Sequence, residues 1–269
     1  MGVRALMVGG GNMAEAIVGG AIDAGVTRPD EWCIAEPNNE RRSVFEALGV
    51  RTGADARALL DGAGPDCQLW WGVKPQVFER MAPSFGGVGE RVVVSIMAGV
   101  TTRGLREHQG AGVRAIRVMP NTPVRVRKGV SAIAPGVGTS EDDTRLASEV
   151  FGGLGDVIDI DEGLIDAFTG VAGSGPGYLF LVAEAMVRGA VEAGIPREKA
   201  DAMVRGLFRG AGELLATSDR DAGALRRTVT SPGGTTAAGL VVLEEEGVPE
   251  AFVRAIASAR DRGRELGGG

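Results

Sequence analysis

Apolar and polar positions along the chain fall into two regimes that meet near residue 161. In the first, short apolar runs alternate with amphipathic stretches. Val3-Arg4-Ala5-Leu6-Met7-Val8, Trp32-Cys33-Ile34-Ala35, Val50-Arg51-Thr52, Cys67 to Val73, Arg91 to Met97, Ala115 to Met119, Gly129 to Ala134 and Asp156 to Ile160 read as strands. Between them, Ala14 to Ile22, Glu40 to Leu48, Asp55 to Leu60 and Ser140 to Phe151 carry apolar residues at helical spacing, and Ser140-Glu141-Asp142-Asp143 is a capping pattern. Strand alternating with helix predicts a mostly parallel sheet with helices on both faces, with room for antiparallel additions late in the order. From Leu164 onward no convincing strand remains. Helical signals cover Gly177 to Ala193, Arg197 to Thr217, Ala222 to Val229, Thr235 to Glu246 and Pro249 to Leu266. The expected organisation is an α/β domain over 1–161 and an all-helical domain over 162–269.

Composition narrows the classes. Charged residues make up 24% of the chain and hydrophobic ones 44%, ordinary for a soluble globular protein. The 44 glycines are about twice the usual share. Several sit inside helical patterns (Gly189, Gly206, Gly210, Gly212), where each costs ~1 kcal/mol against alanine, so close helix–helix approach, within or between subunits, is the expected return. The terminal Gly267-Gly268-Gly269 should fray. A net charge of −6 without a basic patch argues against a nucleic-acid surface. No run of 18 apolar residues predicts a membrane span. The chain enters a strand at once, which predicts no leader peptide and a cytoplasmic location. Cys33 and Cys67 lie in apolar runs and read as buried thiols. With one histidine and two cysteines, a metal site built from several such ligands is excluded by count. That histidine, His108, reads as a surface residue at a helix end.

Two stretches carry candidate chemistry. Gly9-Gly10-Gly11-Asn12-Met13-Ala14 joins a strand to a helix in a GxGxxA pattern. Gly9 suits the tight turn, Gly11 lets backbone approach a pyrophosphate, and Ala14 lets helix pack on strand. The N–H groups of Asn12 and Met13 would face the anion. Glu36 lies 22 residues past Ala14, where an acid that binds ribose hydroxyls is expected. Arg41 and Arg42 follow and offer charge for a ribose 2′-phosphate, so both NADH and NADPH stay open. The second stretch is Thr230-Ser231-Pro232-Gly233-Gly234-Thr235-Thr236, directly before a helix. Its glycines and hydroxyls form a nest of backbone donors suited to a carboxylate or phosphate. A third glycine-rich stretch, Gly170 to Tyr178, reads as a break between helices.

Taken together, Gly9 to Ala14, Val73-Lys74-Pro75, Ser95-Ile96-Met97-Ala98-Gly99-Val100-Thr101, Met119-Pro120-Asn121-Thr122-Pro123, Asp166 to Gly170 with Gly173-Ser174-Gly175-Pro176, and Ser231 to Thr236 resemble the pyrroline-5-carboxylate reductase family over nearly the whole chain. The resemblance implies a Rossmann domain followed by a helical dimerisation domain, in a homodimer or a ring of dimers. It also implies hydride transfer from NADPH or NADH to 1-pyrroline-5-carboxylate, the last step of proline synthesis. It assigns the substrate carboxylate to Ser231 and the backbone of Gly234, Thr235 and Thr236, with the Thr236 hydroxyl near the imine nitrogen. Ser231 and Thr236 are thus the expected catalytic pair. Val73, Lys74, Pro75 and Asn121 would line the nicotinamide, opposite the partner subunit's substrate loop. Gly177, Arg188 and Arg226 depart from the family's usual alanine, aspartate and lysine. A hydroxy-acid dehydrogenase would call for a lysine in the helical half, where only Lys199, at an exposed helix start, is found.

Overall fold

In the computed structural model, residues 2–267 are described; of the terminal glycines expected to fray, Gly268 and Gly269 lie outside this range. Among the described residues, eight strands form one sheet: β1 (Ala5–Val8), β2 (Trp32–Ala35), β3 (Arg51–Gly53), β4 (Gln68–Trp71), β5 (Val92–Ser95), β6 (Arg114–Met119), β7 (Gly129–Pro135) and β8 (Gly155–Asp159). Their spatial order is β3-β2-β1-β4-β5-β6-β7-β8. The first six run parallel, β7 pairs antiparallel with β6, and β8 runs parallel with β7. The expected parallel sheet with late antiparallel additions is therefore present. The order reverses between β1 and β4, and it is outside the carboxyl ends of strands at such a point that doubly wound sheets bind ligands.

The sheet is covered on both faces, so β1, β2, β4 and β5 are buried at every position and mostly apolar. Successive residues divide between two cores. Met7, Ile34, Trp70, Val94 and Ile116 pack on one face with Ile17 and Val18 of α1 (Asn12–Asp23), Phe45 of α2 (Asn39–Glu46), and Val150 and Phe151 of α6 (Glu141–Gly152). Leu6, Cys33, Leu69, Trp71 and Val93 pack on the other with Leu60 of α3 (Ala56–Asp61), Phe78 of α4 (Pro75–Met81) and Leu105 of α5 (Thr102–Gln109). The tryptophan pair thus splits: Trp70 stacks on Phe151, while Trp71 meets Phe78 and Phe85 edge-on. Each buried indole N–H keeps an acceptor, Trp70 on Gln68 at 3.0 Å and Trp71 on Gln109 at 3.2 Å. The capping pattern at Ser140 is realised: its backbone N–H and hydroxyl both donate to Asp143, and its Oγ accepts the Asp143 N–H.

Pro75 occupies the first turn of α4 with Lys74 as N-cap, a position where its missing N–H costs nothing. One expectation needs correction: Gly170 to Tyr178 is not a break between helices. After α7 (Ile165–Phe168), Thr169–Gly173 form a π-helical turn, and Gly175 already belongs to α8 (Gly175–Glu192).

Contacts divide the chain into two units, Met1–Ser174 with Ser258–Gly269, and Gly175–Ala257. In the first, the end of the last helix, α12 (Val248–Leu266), returns to the turn after β5: a Cβ on Gly99 would lie 2.9 Å from the Leu266 carbonyl. The second unit contains α8, α9 (Arg197–Thr217), α10 (Ala222–Thr228), α11 (Thr235–Glu245) and the start of α12. Its own core is small, built on Val187, Ala200 and Val204. Large apolar side chains on α8, α9 and α11 stay exposed, among them Phe180 (66%), Leu181 (66%), Met203 (55%) and Val242 (56%). A Cβ on the helical glycines Gly189, Gly206, Gly210 or Gly212 would meet nothing within 4 Å, so the close approach expected of them is not made among the described residues. Among the described residues, no helix is long and apolar enough to cross a membrane.

Candidate active site

The sheet unit holds a dinucleotide cradle. Gly9, directly after β1, has φ +103°, and a Cβ there would lie 2.9 Å from Val73 Cγ1 and 3.0 Å from the Gly72 carbonyl carbon. Only glycine satisfies both the turn and the approach of the β4 end. The two strand ends are tied by the Gly72 N–H, which donates to the Val8 carbonyl at 2.9 Å. Gly11 is the N-cap of α1 with φ −72°, no side chain caps this end, and a Cβ on Gly11 would meet nothing within 4 Å. Open space stands over a helix N-terminus whose first-turn N–H groups, Asn12 and Met13 among them, have no intrahelical acceptor. Backbone donors, the positive end of the helix dipole and free space fit a pyrophosphate.

Glu36 closes β2 beside this turn. Its Oε2 accepts the Gly10 N–H at 2.8 Å, and its Oε1 accepts the Asn38 N–H at 3.0 Å. Arg41 donates through Nε to the Gly10 carbonyl at 2.8 Å and pairs with Glu15 at 2.7 Å. Arg42 donates to the carbonyls of Glu36 and Pro37 at 2.7 and 2.9 Å. Both guanidiniums are thus bonded to main-chain carbonyls of this turn. Gly10 and Glu15 were missed in the sequence. The only signal for Gly10 was a third glycine where the motif needs two.

The structure brings Gly9, Gly11, Asn12, Met13, Val73, Glu36 and Arg41 around one turn. Lys74 and Pro75 follow at the start of α4, with Lys74 exposed. Asn121 lies after β6, farther along the sheet, and is buried. Its amide is already engaged: Nδ2 donates to the Ala172 carbonyl at 3.0 Å, and Oδ1 accepts the Val130 N–H at 2.9 Å. His108 is exposed, its Nδ1 2.8 Å from the Gly104 carbonyl. Burial raises the Cys67 thiol to about 11 against a weaker opposing pull from Arg91, and burial likewise pushes Cys33 up. Neither thiol is poised as a nucleophile.

The second nest belongs to the helical unit. Gly233 has φ +69°, and Gly234 is the N-cap of α11, with no side chain capping it. The Gly234 N–H donates to the Ser231 carbonyl at 3.0 Å, closing a tight turn. A Cβ on Gly234 would meet Ser231 Oγ, so a side chain there would turn the serine hydroxyl away from its present position. Ser231, Thr235 and Thr236 are exposed, and the first-turn N–H groups of α11 point out of the helix end. Arg226 of α10 pairs with Glu244 of α11 at 3.1 Å, which ties the helix before the loop to the helix after it.

A doubly wound sheet with a glycine cradle at its switch point, joined to a helical unit that bears a second anion nest, defines a nicotinamide-dinucleotide oxidoreductase built from a Rossmann domain and a helical partner domain. Comparison with known proteins agrees at both ends of the chain. The family described as pyrroline-5-carboxylate reductase dimerisation matches residues 162–266, and that described as NADP oxidoreductase, coenzyme F420-dependent, matches residues 5–99. A pyrroline-5-carboxylate reductase of Synechocystis sp. is 38% identical over 99% of each chain, and one of Arabidopsis thaliana is 36% identical over 96% of this chain and 94% of its own. The solved structure of a pyrroline-5-carboxylate reductase from Coxiella burnetii superposes with a TM-score of 0.87 at 31% identity, covering 99% of both chains. The chain belongs to the pyrroline-5-carboxylate reductase family, whose members are NAD(P)H-dependent oxidoreductases acting on a cyclic imine.

Proposed function

We propose that this protein reduces 1-pyrroline-5-carboxylate to L-proline, with the substrate carboxylate received by the Ser231–Thr236 nest. The observation that carries the assignment is the uncapped N-terminus of α11, preceded by Gly233 and Gly234 and flanked by exposed hydroxyls. A carboxylate satisfies donors that the fold leaves open there. The substrate's imine is electrophilic once protonated, so the chain needs to position it and exclude water rather than supply a strong base. Ser231 and the N–H groups of Thr235 and Thr236 fix the carboxylate end, and Gly234, whose own N–H closes the turn onto the Ser231 carbonyl, holds the loop that presents them. The Thr236 hydroxyl holds the proton at the ring nitrogen, which ends as a secondary amine. When bound in the glycine cradle, reduced nicotinamide supplies the hydride. Gly9, Gly11, Asn12 and Met13 hold its pyrophosphate, and Val73, Lys74, Pro75 and Asn121 form the nicotinamide side. The exposed apolar and glycine-lined helices of the second unit support assembly into a homodimer or a ring of dimers through residues 162–269. Buried, unpaired thiols accord with a cytoplasmic location.

Folded protein given the imine should oxidise NADH or NADPH, and absence of turnover with both would refute the assignment. Thr236→Ala is expected to lower kcat about 100-fold, the scale of losing one positioned hydrogen-bonding group at the reacting atoms, while leaving cofactor Kd unchanged.

A further inference from the structure

The turn after β2 carries a choice between the two nicotinamide dinucleotides. Glu36 is held on both oxygens, by the Gly10 N–H at 2.8 Å and the Asn38 N–H at 3.0 Å. Its stem is packed as well: a Cβ on Gly10 would lie 3.0 Å from Glu36 Cβ and Cγ and from the Phe45 ring. The carboxylate is therefore fixed beside the pyrophosphate cradle and cannot swing away without breaking two bonds to backbone. A carboxylate has about four acceptor sites, so each oxygen keeps one for a hydroxyl donor. That matches a ribose carrying free 2′- and 3′-hydroxyls.

A 2′-phosphate is the opposite partner. A phosphate monoester brings roughly −1.5 to −2 charge near neutral pH and oxygens that accept rather than donate. Neutralising it would take a cation, and the two guanidiniums bonded to this turn are committed. Arg41 is held by the Gly10 carbonyl and by Glu15, and Arg42 by the carbonyls of Glu36 and Pro37. Both arginines hold the turn's own main chain in place. The exposed Glu40 adds a second carboxylate to the same turn.

We propose that Glu36 makes this enzyme select NADH over NADPH, by accepting the adenosine ribose hydroxyls and repelling a 2′-phosphate. This rests on the reductase reading above. The test is fluorescence titration of the full-length protein with each reduced dinucleotide, without imine. NADH is expected to bind at least about tenfold more tightly, which corresponds to ~1.4 kcal/mol. Glu36→Ser removes the charge and releases the Gly10 and Asn38 N–H groups as phosphate donors, so the preference should collapse or invert. Arg41→Ala should leave the NADH-to-NADPH ratio unchanged. Should Glu36→Ser fail to fold, displacement of NADH from the unsubstituted protein gives a second reading: 5′-AMP should compete better than its 2′-phosphorylated form. Equal or tighter NADPH binding, or an Arg41→Ala variant that loses NADPH selectively, would overturn the proposal. If imine turnover with NADPH persists in that case, the reductase reading stands and only this inference falls. Binding of neither dinucleotide overturns both.

Discussion

Asn121 and Ala172 are joined by a hydrogen bond of 3.0 Å from the asparagine Nδ2 to the alanine carbonyl, across 51 positions of sequence. The same side chain accepts the Val130 N–H through Oδ1 at 2.9 Å. One buried amide thus locks the segment after β6 to the start of β7 and to the π-helical turn Thr169–Gly173. Replacing it with alanine leaves a donor and an acceptor unpaired in the interior. Asn121→Ala is expected to cost about 2–4 kcal/mol of stability, read as a lower midpoint in urea. Thr122→Ala, at the neighbouring exposed position, should stay within ~0.5 kcal/mol of the parent. Similar midpoints for the two variants would show that the Asn121 bridge carries little.

Gly9 and Gly11 are constrained for different reasons, and substitution separates them. Alanine at Gly9 must hold φ near +103° and sit 2.9 Å from Val73 Cγ1, so Gly9→Ala should destabilise the fold and impair cofactor binding together. Gly11 has an ordinary φ of −72° and free space around the added methyl. Gly11→Ala should therefore melt at or above the parent temperature, yet bind NAD(P)H at least about tenfold more weakly, because the methyl occupies the pyrophosphate's path. Unchanged cofactor affinity in Gly11→Ala would move the dinucleotide away from this turn.

These two cases show what the sequence could and could not display. The strands were legible because a sheet covered on both faces writes continuous apolar runs, as in Cys67 to Val73. Both anion nests were legible because a helix start that must stay open requires glycines and small polar residues in immediate succession. Helix α4 was not, since Pro75 reads equally as a stop and as a first-turn residue, and only packing of Phe78 in the core decides between them. The π turn was missed because glycine density signals either a loop or close packing. Here Gly173 lies against Met119, where a Cβ would be 3.5 Å from its methyl. The partners of Asn121 and Arg41 lie too far along the chain for any local pattern to announce them.

The cysteines give a prediction in pH. Burial raises the Cys67 thiol from 9.0 to about 11, so the fold favours the protonated form. Its contribution to stability is full below pH 9, where the unfolded thiol is still protonated, and is lost as pH rises through 11. The amount at stake is about 3 kcal/mol, from two pH units. At pH 8 about 0.1% of Cys67 is thiolate, so native protein should react with a disulfide reagent only at the rate of its unfolding. Rapid labelling of both cysteines in native protein at pH 8 would contradict the burial described here.

The helical unit gives the last prediction, which concerns assembly. A unit whose own core rests on Val187, Ala200 and Val204 buries too little apolar surface to hold five helical segments in place. Phe180 and Leu181 stand two-thirds exposed on α8, and the helical glycines present bare backbone where a Cβ would meet nothing within 4 Å. Surface of this kind is costly in water and is stabilised by burial against a second copy of the same chain. A charge placed there should oppose association, since burying it unpaired is far more expensive than burying a phenyl ring. Phe180→Glu is expected to shift the protein toward monomer in sedimentation at micromolar concentration and to lower its melting temperature. Its imine reductase activity should fall with the dimer fraction and recover as protein concentration is raised. A Phe180→Glu protein that sediments and melts like the parent would show that α8 lies outside the subunit interface.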